Sequence, residues 1–175
     1  MKSILLTLLF ISTVAFSQVN QINNLRDVYT LKSDIDRSLD QFGPNVKGSP
    51  FIHSEYQNIK IKGVAMKGKY NANQDYIEVD NKGEVIFFVP TMEHRYDVLF
   101  TDENTTYRAF EYENLKFGFF KILAKNDKTF LLSKQFVKFY PEVKPKSNYE
   151  TLKPAKFERK QDAYYIKLSD QDIVI

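Results

Sequence analysis

The sequence predicts a mainly β protein, built as an antiparallel meander or a partly closed barrel, with a short helical segment before it. From Lys47 onward, short runs rich in valine, isoleucine, phenylalanine and tyrosine are separated by polar turns, as β-strands are. Before Lys47, apolar residues instead recur three or four positions apart, which indicates a helix. The chain has 15 phenylalanines, 11 tyrosines and no cysteine. Aromatic packing must therefore hold the fold without disulfides.

The first segment, Met1–Ser17, has the features of a secretory signal peptide. A lysine precedes the apolar run Ile4–Phe16, and the small residues Ala15 and Ser17 precede a cleavage point at Gln18. As a helix this run would rise only ~20 Å, against a hydrocarbon core of roughly 30 Å, so it is too short to span a membrane. We expect an exported protein. The periplasm is favoured over release because no C-terminal sorting domain follows the β-rich region.

The second segment, residues 18–46, is predicted to be helical or a linker. Ser33 is suited to cap a helix, and Gly43-Pro44 is a stop signal. The sequence also places three aspartates here, which could be imagined as calcium ligands, but the glycine and closing glutamate of a calcium loop are missing. A solvated helix face is the preferred interpretation of Asp34, Asp36 and Asp40.

Residues 47–175 are predicted to form a single β-rich domain. Its strands are expected at Asn58–Lys62, Val64–Tyr70, Tyr76–Asp80, Glu84–Val89, Tyr96–Thr101, Thr106–Glu113, Lys116–Ala124, Thr129–Phe139 and Ala163–Leu168.

Four local features refine this prediction. Asn81-Lys82-Gly83 is a hairpin turn signal, since its glycine can adopt the left-handed conformation. The run Val85–Val89 has no polar face, which favours a central strand covered on both sides. Pro141–Lys156 has three prolines and four lysines and is predicted to be a surface loop. The apolar end Asp172–Ile175 either pairs as a strand or was once followed by more chain.

Several segments, taken in their order along the chain, resemble an uncharacterised family of exported proteins from Bacteroidota. The resemblance implies a β-rich periplasmic or secreted protein with no assigned activity, and it implies no catalytic or ligand-binding residue. The segments are Gly48-Ser49-Pro50-Phe51-Ile52, Lys69-Tyr70-Asn71-Ala72, Asp75-Tyr76-Ile77-Glu78-Val79, Gly118-Phe119-Phe120-Lys121-Ile122-Leu123, Lys156-Phe157 and Tyr164-Tyr165-Ile166.

Residues suited to catalysis are few. His53 is followed by Ser54, but neighbours on a strand point to opposite faces, and no nucleophile elbow is present. His94 is interpreted as a loop histidine. Glu111 and Glu113 are spaced to share one face of a strand, as a glycosidase pair could, although a half-buried strand with both glutamates in water explains the same pattern. We therefore predict no catalytic residue and no enzyme activity.

Metal and cofactor sites are not predicted either. Two histidines and no cysteine are too few for a zinc site. Asp170 and Asp172 could share a calcium ion, but the segment reads equally well as a polar turn. No glycine-rich phosphate loop occurs. The binding site remains unknown, and no cofactor is expected.

Charge argues against nucleic acid as the partner. The formal net charge is +3, and removal of Met1–Ser17 would lower it to +2. Lysines alternate with aromatic residues, as in Lys138-Phe139-Tyr140, which could indicate nucleic-acid binding. The same alternation is typical of a β-sheet that has one solvent-exposed face. An acidic lipid or polysaccharide partner is conceivable for Lys144–Lys160, although three glutamates dilute that segment.

Two classes of function remain. The first is a non-catalytic binding or interaction module of the cell envelope, whose partner would be a protein or a glycan. The alternative is a small lipocalin-like carrier, in which the strands close into a barrel around an apolar small molecule. Sequence does not separate the two, because large aromatic residues can either fill a barrel or line a cavity.

Overall fold

The computed structural model describes Phe42 and residues 46–81, 83–92, 96–113, 116–147, 149–168 and 173–174. All of them belong to one compact unit, Lys32–Ile175. Apart from Phe42 and Val46, the predicted signal peptide and helical segment lie outside these residues. No helix in the described part is long and apolar enough to cross a membrane.

The described residues form twelve β-strands and no helix. Ten strands make one antiparallel sheet in the order β12-β11-β8-β7-β6-β5-β1-β2-β3-β4, and the other two pair separately as β10-β9. The prediction of a mainly β, antiparallel fold is therefore confirmed. The strands are β1 (Gln57–Ile61), β2 (Val64–Asn71), β3 (Tyr76–Asn81), β4 (Glu84–Phe88), β5 (Val98–Phe100), β6 (Thr105–Tyr112), β7 (Lys116–Lys125), β8 (Thr129–Lys134), β9 (Val137–Tyr140), β10 (Lys156–Arg159), β11 (Ala163–Leu168) and β12 (Ile173–Val174).

The large sheet departs from a simple meander at two junctions, and at the second of them β11 pairs with β8 while β9 and β10 pair outside the sheet. Strands β1 to β4 pair in order, and β5 to β8 pair in order. However, β5 pairs with β1 and not with β4, so that Ile59 lies opposite Phe100 and Ile61 opposite Val98. The expectation of an uninterrupted meander is wrong here, because the connection after β4 returns the chain to the free edge of β1.

The large sheet curls around its main apolar core. Phe88 on β4 stacks on Phe119 on β7 with ring centroids 5.5 Å apart, and Tyr70 on β2 lies 5.0 Å from Tyr107 on β6. These strands are far apart in the sheet order, so only a curled sheet brings their side chains together. The outer strands β4 and β12 do not pair with each other, and the sheet is therefore not a closed barrel.

A second core covers the opposite face of β6, β7, β8 and β11. Phe110, Phe120, Leu132 and Tyr165 are buried together, and the ring of Phe120 lies 5.2 Å from that of Tyr165. Phe120 follows Phe119 directly, and neighbours on a strand point to opposite faces. The middle of this sheet is therefore buried on both sides.

Strand β4 is an edge strand, which corrects the expectation of a central position for Val85–Val89. The strand is apolar because side chains on both of its faces are buried, although only one of its edges pairs with another strand. Phe87 packs on Tyr76, with centroids 5.1 Å apart, while Phe88 packs on Phe119 from the other face.

Two local predictions hold. The β3–β4 hairpin forms as expected, with Asn81 opposite Glu84 and with Gly83 at a φ of 92°. At the other end of the chain, Ile173–Val174 pairs as β12 with Ile166 and Lys167 of β11.

The predicted strand Thr129–Phe139 is broken in two. Strand β8 ends at Lys134 and stays in the large sheet, whereas β9 begins at Val137 and pairs with β10. Within the predicted loop Pro141–Lys156, the last residue already belongs to β10. This break creates the small β9–β10 sheet, which carries the candidate site.

Candidate functional site

The candidate binding surface lies on one face of the β9–β10 sheet. Tyr140 is opposite Lys156, and Lys138 is opposite Glu158. Opposed residues of an antiparallel pair share a face, and so do residues two apart on one strand. These four side chains therefore project together, and the next lysine, Lys160, follows directly after β10.

The other face of this small sheet is aromatic. Phe139 and Phe157 have ring centroids 5.1 Å apart, and Phe42 packs against both rings at 4.6 and 4.9 Å. Such edge-to-face pairs stabilise aromatic clusters beyond the area that they bury. The apolar face thus anchors the hairpin and leaves the charged face turned away from it.

Three lysine ammonium groups converge on one tyrosine ring. The Nζ atoms of Lys138, Lys156 and Lys160 lie 5.3, 5.5 and 5.0 Å from the ring centroid of Tyr140. A cation at this distance is attracted by the ring quadrupole. We call these residues, together with Glu158, the lysine–tyrosine cluster.

Glu158 is the one carboxylate of this cluster. It accepts hydrogen bonds from Lys156, at 2.6 Å, and from Lys160. The Lys156 bond and then the Lys160 bond lower the pKa of Glu158 from 4.5 to about 2, and the bond to Glu158 raises the pKa of Lys160. The cluster therefore holds three positive charges and one negative charge at neutral pH. Lys138 forms no ion pair with a residue in the described part of the chain.

The surrounding segment concentrates the positive charge of the protein. Between Val137 and Lys160 the sequence has seven basic and three acidic residues, a net charge of +4, whereas the whole chain has +3. The rest of the chain is therefore slightly negative. The low overall charge thus conceals a basic segment whose lysines would attract an anion, whereas its Arg159 is paired with Asp162 at 2.5 Å.

A second polar cluster is buried beside the core. Asp75, in the β2–β3 turn, accepts hydrogen bonds from Lys134 at 2.5 Å, from the Tyr70 hydroxyl at 2.7 Å and from the Phe119 N–H at 3.2 Å. Lys134 also donates to the Phe119 carbonyl at 3.0 Å and is only 3% exposed. Burial lowers the pKa of Lys134, and the Asp75 carboxylate opposes that shift. The same burial, together with Asp75, raises the pKa of Tyr70.

The Asp75–Lys134 pair makes the hydrogen bonds that the edge of β7 lacks where β8 ends. Lys121 of β7 is opposite Ser133 of β8, so Phe119 would be opposite Gln135 if β8 continued. The chain leaves the sheet at that point, and the side chains of Asp75 and Lys134 satisfy the Phe119 backbone instead. A Cβ atom at Gly118 would lie 2.7 Å from Lys134 Nζ, so glycine leaves the room that the pair needs. We therefore assign the pair to the fold and not to ligand binding.

The residues with catalytic potential lie apart from one another. The Nε2 atom of His53 is 3.0 Å from a carboxylate oxygen of Glu103. Glu111 lies on β6, but Glu113 follows the strand with a φ of 41° and forms an ion pair with Lys116 at 3.8 Å. The expectation that both glutamates share one strand face is therefore wrong, because the strand ends at Tyr112.

Six further candidate residues from the sequence lie outside the described part of the chain, namely His94, Asp170, Asp172, Asp34, Asp36 and Asp40. Within the described residues, no three histidine, aspartate or glutamate side chains are grouped so that they could hold a metal ion.

Comparison with protein-family models, with curated proteins and with solved structures finds no match to this chain.

Proposed function

We propose that the protein is an exported, non-catalytic binding module that recognises an anionic ligand through the lysine–tyrosine cluster of the β9–β10 sheet. The observation that carries this proposal is the convergence of three ammonium groups on the Tyr140 ring with one carboxylate among them. Export rests on the signal-peptide features of Met1–Ser17.

The lysine–tyrosine cluster carries more positive charge than its own groups compensate. Like charges held close together repel one another, and the Tyr140 ring and Glu158 offset only part of that repulsion. A bound phosphate, sulfate or carboxylate group would accept hydrogen bonds from lysines and remove the remaining repulsion. Such charge-assisted bonds are stronger than neutral ones. Binding should weaken as salt is added, because the cluster is at the surface.

The alternatives have less support. The sheet does not close into a barrel, which is the arrangement that a lipocalin-like carrier would need. His53 lies beside Glu103, and Glu111 and Glu113 do not form a strand-positioned pair, so we propose no reaction.

Heparin, a soluble sulfated polysaccharide, is the probe that tests this proposal. Its affinity for the purified protein would be measured by isothermal titration calorimetry at low and physiological salt. The variant Lys138→Gln/Lys156→Gln/Lys160→Gln should lose about tenfold or more in affinity, because it removes all three ammonium groups that would contact the anion.

The matched control is Lys60→Gln/Lys67→Gln/Lys125→Gln, which removes the same charge from exposed lysines outside the cluster. It should change the affinity by less than the first variant does. Equal losses in the two variants, or no binding by the unaltered protein, would contradict the proposal. Thermal unfolding of each variant would establish that it is folded.

A further inference from the structure

The loop between β9 and β10 extends the hairpin that carries the lysine–tyrosine cluster. Val143 and Lys153 form a bridge, with backbone N···O distances of 2.9 and 3.1 Å. Beyond it, the Glu150 N–H donates to the Ser147 carbonyl, and the Glu150 side chain accepts from the Lys146 N–H at 2.8 Å. The loop is thus held by its own hydrogen bonds.

This loop presents apolar side chains to solvent. Tyr149 is 99% exposed, Leu152 53% and Val143 48%. Isolated apolar residues are common on protein surfaces and need no explanation. Here, however, three of them are carried by one short loop, and Tyr149 is almost entirely free of protein contact.

Lysines are interleaved with these apolar residues. Lys144, Lys146 and Lys153 are exposed, and none forms an ion pair with a described residue. Tyrosine favours the boundary between membrane and water, where its ring is apolar and its hydroxyl is wet. Lysine stems can lie along apolar surface while the ammonium groups contact anionic headgroups.

We infer that the anionic ligand of the lysine–tyrosine cluster is a lipid headgroup at a membrane surface, and that the loop tip with Tyr149 and Leu152 enters the interface. This inference rests on the proposed function. A soluble acidic polysaccharide would use the lysines of the hairpin, and its sugar rings could stack on Tyr149, but it would gain nothing from the exposed aliphatic side chain of Leu152. An anionic lipid surface accounts for the lysines and for the exposed apolar side chains together.

Vesicle sedimentation tests this inference. Vesicles of phosphatidylcholine and phosphatidylglycerol in equal parts should bind the protein, and vesicles of phosphatidylcholine alone should not. Tyr149→Ser/Leu152→Ser should weaken binding to the anionic vesicles by about tenfold or more, because it removes the apolar area that enters the interface. Heparin affinity should not change. Leu123→Ser/Tyr164→Ser is the matched control, since both residues are exposed on the large sheet, and it should leave vesicle binding unchanged.

A second measurement reports insertion directly. The chain has no tryptophan, so Tyr149→Trp would provide a single fluorophore at the loop tip. Its emission should shift to shorter wavelength with anionic vesicles and be quenched by brominated lipid, whereas Tyr164→Trp should show neither change.

The outcomes separate the two proposals. If heparin binds through the cluster but vesicle binding is indifferent to Tyr149→Ser/Leu152→Ser, the lipid inference is overturned and a soluble polyanion becomes the ligand. If the unaltered protein does not bind heparin, the proposed function fails, and the inference, which rests on it, fails with it.

Discussion

At the scale of single residues, Asp75 and Lys134 show why an ion pair with a buried lysine can be required by a fold. Removing two charges from water is costly, and the pair is tolerated because each member has further hydrogen bonds. Asp75 has three donors around it, and Lys134 has two acceptors. Asp75 also has a φ of 60°, a left-handed conformation that aspartate and asparagine tolerate better than most residues.

We predict that Asp75→Asn destabilises the protein more than Lys134→Met. Asparagine suits the same backbone conformation but leaves the Lys134 ammonium buried without its counterion, which should reduce the free energy of unfolding by about 3–5 kcal/mol. Methionine removes the buried charge, and the remaining Asp75 side chain, 25% exposed, still accepts from Tyr70 and Phe119. Urea unfolding of both variants measures the difference.

The double variant Asp75→Asn/Lys134→Met serves as the control. Its destabilisation should be smaller than the sum of the two single losses, because residues in one ion pair are coupled. Additive losses would show that the two side chains act independently. The loss in Asp75→Asn should also shrink as the pH rises, since the lowered pKa of Lys134 lets the amine lose its charge in the folded protein.

At the scale of elements, the β9–β10 hairpin shows how strand pairing assembles a site. The sequence Lys138-Phe139-Tyr140 has the polar–apolar alternation of a strand with one solvent-exposed face, and these residues do lie on a strand, β9. Sequence alone does not reveal that Tyr140 is opposite Lys156, because β10 has only four residues and follows a segment rich in proline and lysine. Sequence alone therefore indicates a basic segment, Lys144–Lys160, but it does not indicate that two of its lysines meet Lys138 around the Tyr140 ring.

The carboxylate of Glu158 should titrate far below the usual range. Its pKa is about 2, so the contribution of its lysine bonds to stability is complete above pH 4.5 and is lost as the pH falls through about 2. Lys156→Gln should raise this pKa towards 4.5, because it removes the hydrogen bond that lowers it most. Titration of the side-chain carboxyl by NMR measures the shift. Lys153→Gln, in the neighbouring loop, should leave the pKa of Glu158 near 2.

Glu158→Gln should strengthen heparin binding. Glutamine removes the negative charge that competes with the ligand for Lys156 and Lys160. The expected gain is about fivefold, because one unfavourable charge at contact distance from the ligand is removed. Glu113→Gln is the matched control, since Glu113 also pairs with a lysine, Lys116, but lies outside the cluster. Weaker binding by Glu158→Gln would show that Glu158 organises the lysines for the ligand.

At the scale of the whole molecule, local patterns predict the strands well and the connections between them poorly. Alternation places β2, β3, β6 and β7 to within a residue or two at each end. The break after Lys134 has no local signal, because it depends on Asp75, which is far away in the chain. The pairing of β5 with β1 likewise has no local signal, because it depends on which free strand edge the chain reaches after β4.

We predict that the exported protein begins at Gln18. Intact mass of material from the periplasmic fraction should lack Met1–Ser17, because the cleavage point follows small residues at Ala15 and Ser17. Replacing Ala15 by a bulky residue, as in Ala15→Phe, should block processing and leave the longer chain in the membrane fraction. A mature protein that still carries Met1 would contradict this prediction.

Hydrogen exchange of the Phe119 backbone amide can report on local opening of the β2–β3 turn. Its N–H is held by the carboxylate of Asp75 and not by a neighbouring strand. Exchange of this one amide with deuterium should therefore follow the opening of the β2–β3 turn, whereas the amides that pair β6 with β7 should exchange only when the sheet itself separates. A single resonance would thus distinguish the loosening of one turn from the loss of the fold.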